Sequence, residues 1–118
     1  MITEIRVYKL KAGRGSEFFN VFTEQSLPIL KRWNVKIAAY GLSLIDKDSF
    51  HLIRNYDSID QRKESQDAFY SSDEWINGPE KQIMDCIESY NTSLVESNIF
   101  GEMITASEPP QKSPGGRG

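Results

Sequence analysis

The sequence contains one cysteine and one histidine among its 118 residues, and this scarcity excludes several kinds of site. Cys86 has no second cysteine to pair with, so an internal disulfide and a multi-cysteine metal site are both excluded. His51 alone cannot form a multi-histidine metal site, and axial ligation of haem is the alternative left for it. We therefore expect no metal and no cofactor. We interpret Cys86 as a small buried apolar side chain rather than a nucleophile.

The chain also lacks an excess of basic charge and a long apolar run. Its 14 basic and 17 acidic residues are scattered and give a net charge of -3, which does not suggest a nucleic-acid partner. No apolar segment approaches the roughly 20 residues that a membrane span requires, and the first residues do not resemble a signal peptide. We expect a cytoplasmic protein with a single domain over residues 1–104. The Pro- and Gly-rich segment 105–118 is predicted to be a flexible tail.

Hydrophobic periodicity predicts an order of strand, helix, strand, strand, helices and strand. The predicted strands are residues 4–10, 35–45, 50–56 and 91–104. A helix over residues 16–33 should kink near Pro28, and a polar helix over 59–72 should lie on the outside, anchored by Ile59 and Phe69. A further helix after Pro79 carries Ile83, Met84 and Ile87. This β-α-β-β-α-(α)-β order predicts an α+β, ferredoxin-like fold with a four-stranded antiparallel sheet and helices on one face.

The second predicted strand indicates that the other face of the sheet is also covered. Both alternating sets of its side chains are largely apolar: Val35, Ile37, Ala39 and Ile45 on one face, and Ala38, Tyr40, Leu42 and Leu44 on the other. A solvated face would carry Lys, Glu and Thr at alternate positions. We therefore expect the second face to be buried against a second copy of the chain, which predicts a homodimer.

The first strand carries an unusual polar set on one face. Glu4, Arg6 and Tyr8 alternate with Ile5 and Val7, so the acid, the base and the phenol share one side of the strand. They either face water or line a cavity or a dimer seam. If they are buried, Arg6 must bind a carboxylate or a ligand, because an unpaired charge away from water is too costly to keep.

Several segments together resemble the NIPSNAP family of the dimeric α+β barrel superfamily. Residues 4–13 (EIRVYKLKAG) are similar to the family's E-L-R-x-Y-x-L-K-x-G opening, and residues 68–75 (AFYSSDEW) are similar to its A-L-Y-x-D-P-E-W. The resemblance includes residues 27–30 (LPIL), 56–62 (YDSIDQR) and 91–94 (NTSL), and it covers the chain to about Val95. It implies sheets paired around a two-fold axis, with a cavity between sheet and helices or inside the barrel.

The chain departs from the family at the third strand and at one turn. The family often has a histidine four residues before a tyrosine, whereas here FHLIRNY places His51 five residues before Tyr56. An offset of one residue sends a strand side chain to the opposite face, unless a bulge compensates. Glu74 stands where the family commonly has proline.

Two functions remain open at this stage. The first is a NIPSNAP-like homodimeric module that binds a small molecule or a partner, since the family's biochemical role is undefined. The alternative, implied by the superfamily, is a cofactor-independent monooxygenase or isomerase acting on a small aromatic or polyketide-like substrate. Its catalytic candidates are Glu4, Arg6, Tyr8 and His51, and its ligand-pocket candidates are Arg6, Tyr8, Tyr40, Arg54 and Tyr56. A purely structural ion pair between Glu4 and Arg6 or Arg54 is the competing interpretation.

Overall fold

The computed structural model describes residues 1–97, which form a four-stranded antiparallel sheet with helices on one face. The strands are β1 (Ile2–Leu10), β2 (Lys36–Leu42), β3 (Ser49–Tyr56) and β4 (Ile87–Glu96), in the order β2-β3-β1-β4. The helices are α1 (Gly15–Val21), α2 (Leu27–Arg32), α3 (Ile59–Tyr70), α4 (Asp73–Ile76) and α5 (Glu80–Cys86), with a π-helical turn (Phe22–Ser26) between α1 and α2. This confirms the predicted ferredoxin-like α+β fold. The predicted strand residues beyond 97 and the predicted tail at 105–118 lie outside the described residues, so the boundary at residue 104 stays a prediction.

The interruption predicted near Pro28 is the π-helical turn. Pro28 has no backbone N–H to donate to the carbonyl four residues earlier, and the backbone widens just before it. The N–H of Leu27 donates to the carbonyl of Phe22, five residues back. The apolar side chains on both sides of the turn remain buried against the sheet: Phe18, Phe22, Ile29 and Leu30. Trp33, directly after α2, is 38% exposed, and its indole N–H donates to Glu74.

The predicted second strand is too long, and its strict alternation is wrong. β2 ends at Leu42, and a bulge between Ile37 and Ala39 shifts its pairing with β3. Tyr40 and Leu42 pair with the buried residues Leu52 and Phe50. Ala39 and Gly41 pair with Ile53 and His51, on the open face of the sheet, which is the face that the helices do not cover. Leu44 and Ile45 belong to the loop at 43–48 and are fully exposed.

One helix anchor and one strand boundary also differ from the prediction. Ile59 does not anchor α3, because it is 61% exposed, whereas Phe69 is buried as predicted. Ser58 caps the start of α3, with the N–H of Gln61 donating to its hydroxyl at 3.0 Å. β4 begins at Ile87 rather than at Asn91, because α5 ends at Cys86 and Ile87 already pairs with Leu10 of β1.

The core lies between the sheet and the helices. Tyr8, Phe18, Phe22 and Phe50 form a connected aromatic group with ring centroids 4.8–6.5 Å apart. Cys86 is fully buried in the same core, which agrees with its interpretation as an apolar side chain.

The loop that joins β1 to α1 is held against the β2–β3 loop by Asp48. Its carboxylate accepts from the backbone N–H groups of Gly13 and Gly15, each at 3.0 Å. These hydrogen bonds, first of all the one from Gly13, lower the pKa of Asp48. Gly15 is packed so closely that a Cβ there would overlap the carbonyl oxygen of Lys47.

Replacement of Gly15 by alanine should destabilise the fold although alanine is the better helix former. The added methyl group must displace the Lys47 carbonyl, so we expect the free energy of unfolding to fall by about 2 kcal/mol. Urea denaturation measures this change. Gly13→Ala is the matched control: a Cβ there meets nothing within 4 Å, and only its positive φ of 80° opposes alanine, at a cost of about 1 kcal/mol. An equal or smaller loss for Gly15→Ala would contradict the predicted overlap.

Candidate functional site

The buried carboxylate of Glu4 is the centre of the most polar region of the core. Strand alternation points Glu4 toward the helices, where it is completely inaccessible to solvent. Arg54, its partner on β3, donates from Nε to Oε1 at 2.8 Å. Arg6 and Arg62 donate to Oε2 at 3.2 and 2.8 Å, and Gln66 Nε2 donates to the same oxygen at 2.8 Å. One carboxylate thus faces three guanidinium groups.

The surrounding charges outweigh the effect of burial on Glu4. Burial by itself would raise the pKa of its carboxyl group, but the charges of Arg54 and Arg6 and the hydrogen bonds from Gln66 and Arg54 lower that pKa to about 2. Glu4 is therefore ionised at neutral pH. Because both of its oxygens already accept hydrogen bonds, it is unsuited to act as a general base.

Two tyrosines extend this network from the sheet toward α3. Arg54 Nη1 donates to the hydroxyl oxygen of Tyr70 at 3.1 Å, and Gln66 Nε2 donates to that of Tyr56 at the same distance. Arg62, Gln66 and Tyr70 recur every four residues along α3 and therefore share one side of this helix. The side of α3 that faces the sheet is therefore polar, like the side that faces solvent.

A cavity of about 320 Å³ lies beside this network, between the sheet and α3–α5. Its wall is mostly aromatic and aliphatic, with three polar side chains, and comprises Arg6, Tyr8, Gln66, Tyr70, Trp75, Glu80, Met84, Ile87 and Tyr90. Trp75 packs on Phe69 and Tyr70, with ring centroids 5.4 and 5.3 Å away. The combination of apolar walls and few polar groups is typical of small-molecule sites.

Arg6 connects the buried network with the cavity. Its Nε donates to Thr92 on β4 at 3.1 Å, its Nη2 donates to Glu4, and its Cζ lies 5.0 Å from the centroid of the Tyr90 ring. The predicted carboxylate partner of Arg6 is therefore Glu4. Within residues 1–97, Nη1 of Arg6 donates to no protein acceptor, which leaves it able to bind an anionic oxygen.

Tyr8 stands next to Arg6 on the same face of β1. Burial, and after it the neighbouring Tyr70, raises the pKa of its phenol to about 12, although Arg54 and Arg6 oppose this shift. Tyr8 is thus a neutral phenol at physiological pH, and its O–H group is a hydrogen-bond donor at the cavity wall.

The other predicted site residues are distributed over three places. Arg54 and Tyr56 belong to the buried network and do not line this cavity. Tyr40 faces the helices too, but it lies at the far edge of the sheet against Phe22. His51 is on the opposite face of the sheet, because β3 pairs with β1 in unbroken register from Ser49 to Tyr56. The bulge that could have brought His51 to the cavity lies instead in β2.

Most of the cavity wall was not predicted from the sequence. Glu80, Met84 and Ile87 come from α5 and the start of β4, and Tyr90 pairs with Tyr8 across the β1–β4 ladder. The sequence feature that could have indicated this polar side of α3 is the spacing of Arg62, Gln66 and Tyr70, which recur every four residues. A carboxylate buried on β1 needs hydrogen-bond donors from the helices that pack on the sheet.

Residues 1–97 contain no group of three or more His, Cys, Asp and Glu side chains arranged to hold a metal ion. Among the helices of this same segment, none has the length and apolar character needed to cross a membrane.

A family model described as NIPSNAP matches residues 3–97. A NIPSNAP family protein with unknown function from Agrobacterium tumefaciens is 26% identical, with a TM-score of 0.73 over 80% of this chain and 86% of that one. An uncharacterized NIPSNAP domain protein from Burkholderia xenovorans is 18% identical, with a TM-score of 0.72 over 80% of this chain and 92% of that one. No functionally curated protein matches the chain.

A more distant similarity concerns the fold alone. A putative antibiotic biosynthesis monooxygenase from Nitrosomonas europaea is 12% identical to this chain, with a TM-score of 0.61 over 80% of this chain and 96% of that one. Identity at this level carries no information about the reaction.

Glu4→Gln should destabilise the protein strongly at neutral pH. Because the pKa of Glu4 is about 2 in the folded protein and near 4.5 otherwise, its ionised form contributes about 3 kcal/mol of stability above pH 4.5. This contribution is lost as the pH falls from 4.5 toward 2. Urea denaturation between pH 2.5 and 7 should therefore show a steeper pH dependence for the native protein than for Glu4→Gln. Glu24→Gln, which changes an exposed carboxylate without an ion pair in residues 1–97, is the control. Parallel pH curves for the native protein and Glu4→Gln would refute the assigned role of Glu4.

Proposed function

This chain belongs to the NIPSNAP family, and from that premise we propose that it is a homodimeric protein whose cavity binds a small, largely apolar molecule through an anionic oxygen. The observation that carries the proposal is the charge balance beside the cavity. Three guanidinium groups surround the single carboxylate of Glu4, so the cluster retains an excess of positive charge. One of the three, Arg6, also lines the cavity.

The wall beside β1 offers two donors to an anionic oxygen. A guanidinium forms charge-assisted hydrogen bonds with carboxylate and phenolate oxygens, and Nη1 of Arg6 is available for one. The neutral phenol of Tyr8 is the second donor. Arg6 is 9% and Tyr8 7% exposed, so an oxygen held by both would lie between two buried side chains, where electrostatic interactions are stronger than in bulk water.

The remaining wall suits a planar apolar body. Tyr70, Trp75 and Tyr90 present aromatic rings, and Met84 and Ile87 add flexible aliphatic surface. The volume of about 320 Å³ is at the lower end of the range of ligand pockets, which corresponds to a molecule with one or two rings.

The proposed dimer would use the face of the sheet that the helices leave open. Val7 on β1 is 43% exposed and Val95 on β4 is 38% exposed, and Ile5, Ile53 and Ala39 lie on the same face. These apolar side chains occur on all four strands, interspersed with polar side chains of the same face, among them His51, Asn91 and Ser93. A second copy of the chain would remove this surface from water.

A second candidate function is a cofactor-independent monooxygenase or isomerase acting on a small aromatic or polyketide-like substrate. The neighbouring donors Arg6 and Tyr8 favour it, since two donors at one position can stabilise a developing enolate or phenolate. The two residues predicted as the catalytic base weigh against this function. Glu4 is fully engaged with a pKa of about 2, and His51 lies on the other face of the sheet. Binding is therefore the primary proposal.

Aromatic monocarboxylates should bind in the cavity and stabilise the protein. We expect 2-naphthoate and 4-methylbenzoate to raise the melting temperature by a few degrees at millimolar concentration, by mass action on the folded state. Differential scanning fluorimetry and isothermal titration calorimetry measure the two effects. 2-Methylnaphthalene, which lacks the anionic oxygen, should not stabilise the protein.

A pair of tryptophan variants places the ligand in the cavity. Met84→Trp fills the cavity from a wall position that is 51% exposed, so it should weaken binding about tenfold and leave the buried network intact. Ile76→Trp is the matched control, because Ile76 is also apolar and 46% exposed but does not line the cavity. If both variants bind the carboxylates as the native protein does, or if no carboxylate binds, the proposed site is wrong.

Charge on the open face of the sheet should separate the proposed dimer into monomers. Val7→Lys places an ammonium group on the apolar surface, and sedimentation velocity at micromolar concentration should change from dimer to monomer. Ile59→Lys makes an equivalent change at a 61% exposed position in the helical layer and should leave the dimer unchanged. A native protein that sediments as a monomer would refute the dimer.

A further inference from the structure

We propose that the ligand of this cavity is dipolar: an aromatic molecule that carries an anionic oxygen for Arg6 and a cationic nitrogen for Glu80. This inference rests on the proposed binding function and adds the substrate class. Glu80 lines the cavity, and within residues 1–97 its carboxylate forms no ion pair and accepts no side-chain hydrogen bond.

The two charged ends of the cavity come from different layers of the fold. Arg6 belongs to the central strand β1 and is 9% exposed, so it contributes the deeper, cationic end. Glu80 is the first residue of α5 and is half-buried, which places its carboxylate nearer the solvent. A positive end and a negative end therefore line the same cavity.

This arrangement discriminates between ligand charges. A simple anion gains the interaction with Arg6, but it is repelled by the Glu80 carboxylate, which lines the same small cavity. A simple cation meets the excess positive charge of the arginine cluster. Only a molecule with both charges can interact favourably with both ends. The cavity would then select its ligand by repelling molecules with one charge as well as by attracting those with two.

An aromatic ring supports a cation in this cavity. Trp75, on the helix that precedes α5, lines the cavity, and its ring attracts positive charge as well as apolar surface. An ammonium group held by a carboxylate and faced by an aromatic ring is well satisfied, and it forms shorter and stronger hydrogen bonds than a neutral donor would. The chemical class is therefore an aromatic amino acid in the broad sense, with an amine and an acid on one small aromatic scaffold.

Three probes of nearly equal size separate the charge states. Aminomethylbenzoate carries both charges, methylbenzoate carries only the anion, and methylbenzylamine carries only the cation. Both the 3- and the 4-substituted series should be used, so that the spacing of the charges is not assumed. Calorimetric titration at pH 7.5 and low salt gives the dissociation constants.

We expect the best aminomethylbenzoate to bind about 5-fold more tightly than the corresponding methylbenzoate, the scale of one partly exposed ion pair. Methylbenzylamine should bind least. Glu80→Gln should remove the preference for the amine while methylbenzoate binds as tightly as before or more tightly. Glu24→Gln, at an exposed carboxylate that does not line the cavity, should leave the preference unchanged.

The outcomes distinguish this inference from the function on which it rests. If methylbenzoate binds the native protein as tightly as aminomethylbenzoate, or if Glu80→Gln leaves their ratio unchanged, the dipolar ligand is wrong and the anion-binding cavity stands. If none of the probes binds, both proposals fall together. Aminomethylbenzoate preferred by the native protein and not by Glu80→Gln would support both.

Discussion

The ion-pair network around Glu4 is the constraint on which the rest of this structure depends. A carboxylate that is completely removed from water is tolerated only if charged and hydrogen-bonding partners replace its hydration, and Glu4 obtains them from three directions. Arg6 connects it to β4 through Thr92, Arg54 connects it to β3, and Arg62 and Gln66 connect it to α3. The network therefore fixes how the strands and the covering helix meet. This explains how a helix with few apolar anchors can still cover the sheet.

The same network shapes the cavity beside it. Because three guanidinium groups share one carboxylate, neutralisation is incomplete, and the excess charge lies next to a space lined by aromatic rings. Arg6 belongs both to the structural cluster and to the cavity wall. In the proposed function, the structural ion pair and the anion-binding group, which the sequence presents as alternatives, are therefore parts of one arrangement. Any functional change at Arg6 carries a cost in stability, whereas Glu80 and Met84 can be changed without disturbing the cluster.

The one-sided layering of the fold has a second consequence. Helices cover the face that carries Glu4 and Phe50, and the face that carries Val7 and Ile53 remains open with apolar side chains. The similarity to other NIPSNAP proteins, at 18% and 26% identity, extends over most of each chain and supports this layering. The likeness to a monooxygenase from Nitrosomonas europaea is a likeness of fold. Chemistry in such a fold depends on which side chains reach the cavity, and here His51 does not reach it.

The sequence by itself determined the order of the elements, the ferredoxin-like topology, the interruption before Pro28 and the set of polar residues on β1. These follow from local periodicity and from the missing N–H of proline, which act within a few residues. The sequence did not determine the bulge at Ile37 and Ala39, the exposed position of Ile59, or the contribution of Glu80 and Tyr90 to the cavity. Only the tertiary structure decided these, because register and packing depend on contacts between residues that are far apart in the chain. Glu4 depends on both local and long-range effects. Strand alternation sets the face on which it lies, but its partners Arg54, Arg62 and Gln66 are 50 to 62 residues away in the chain.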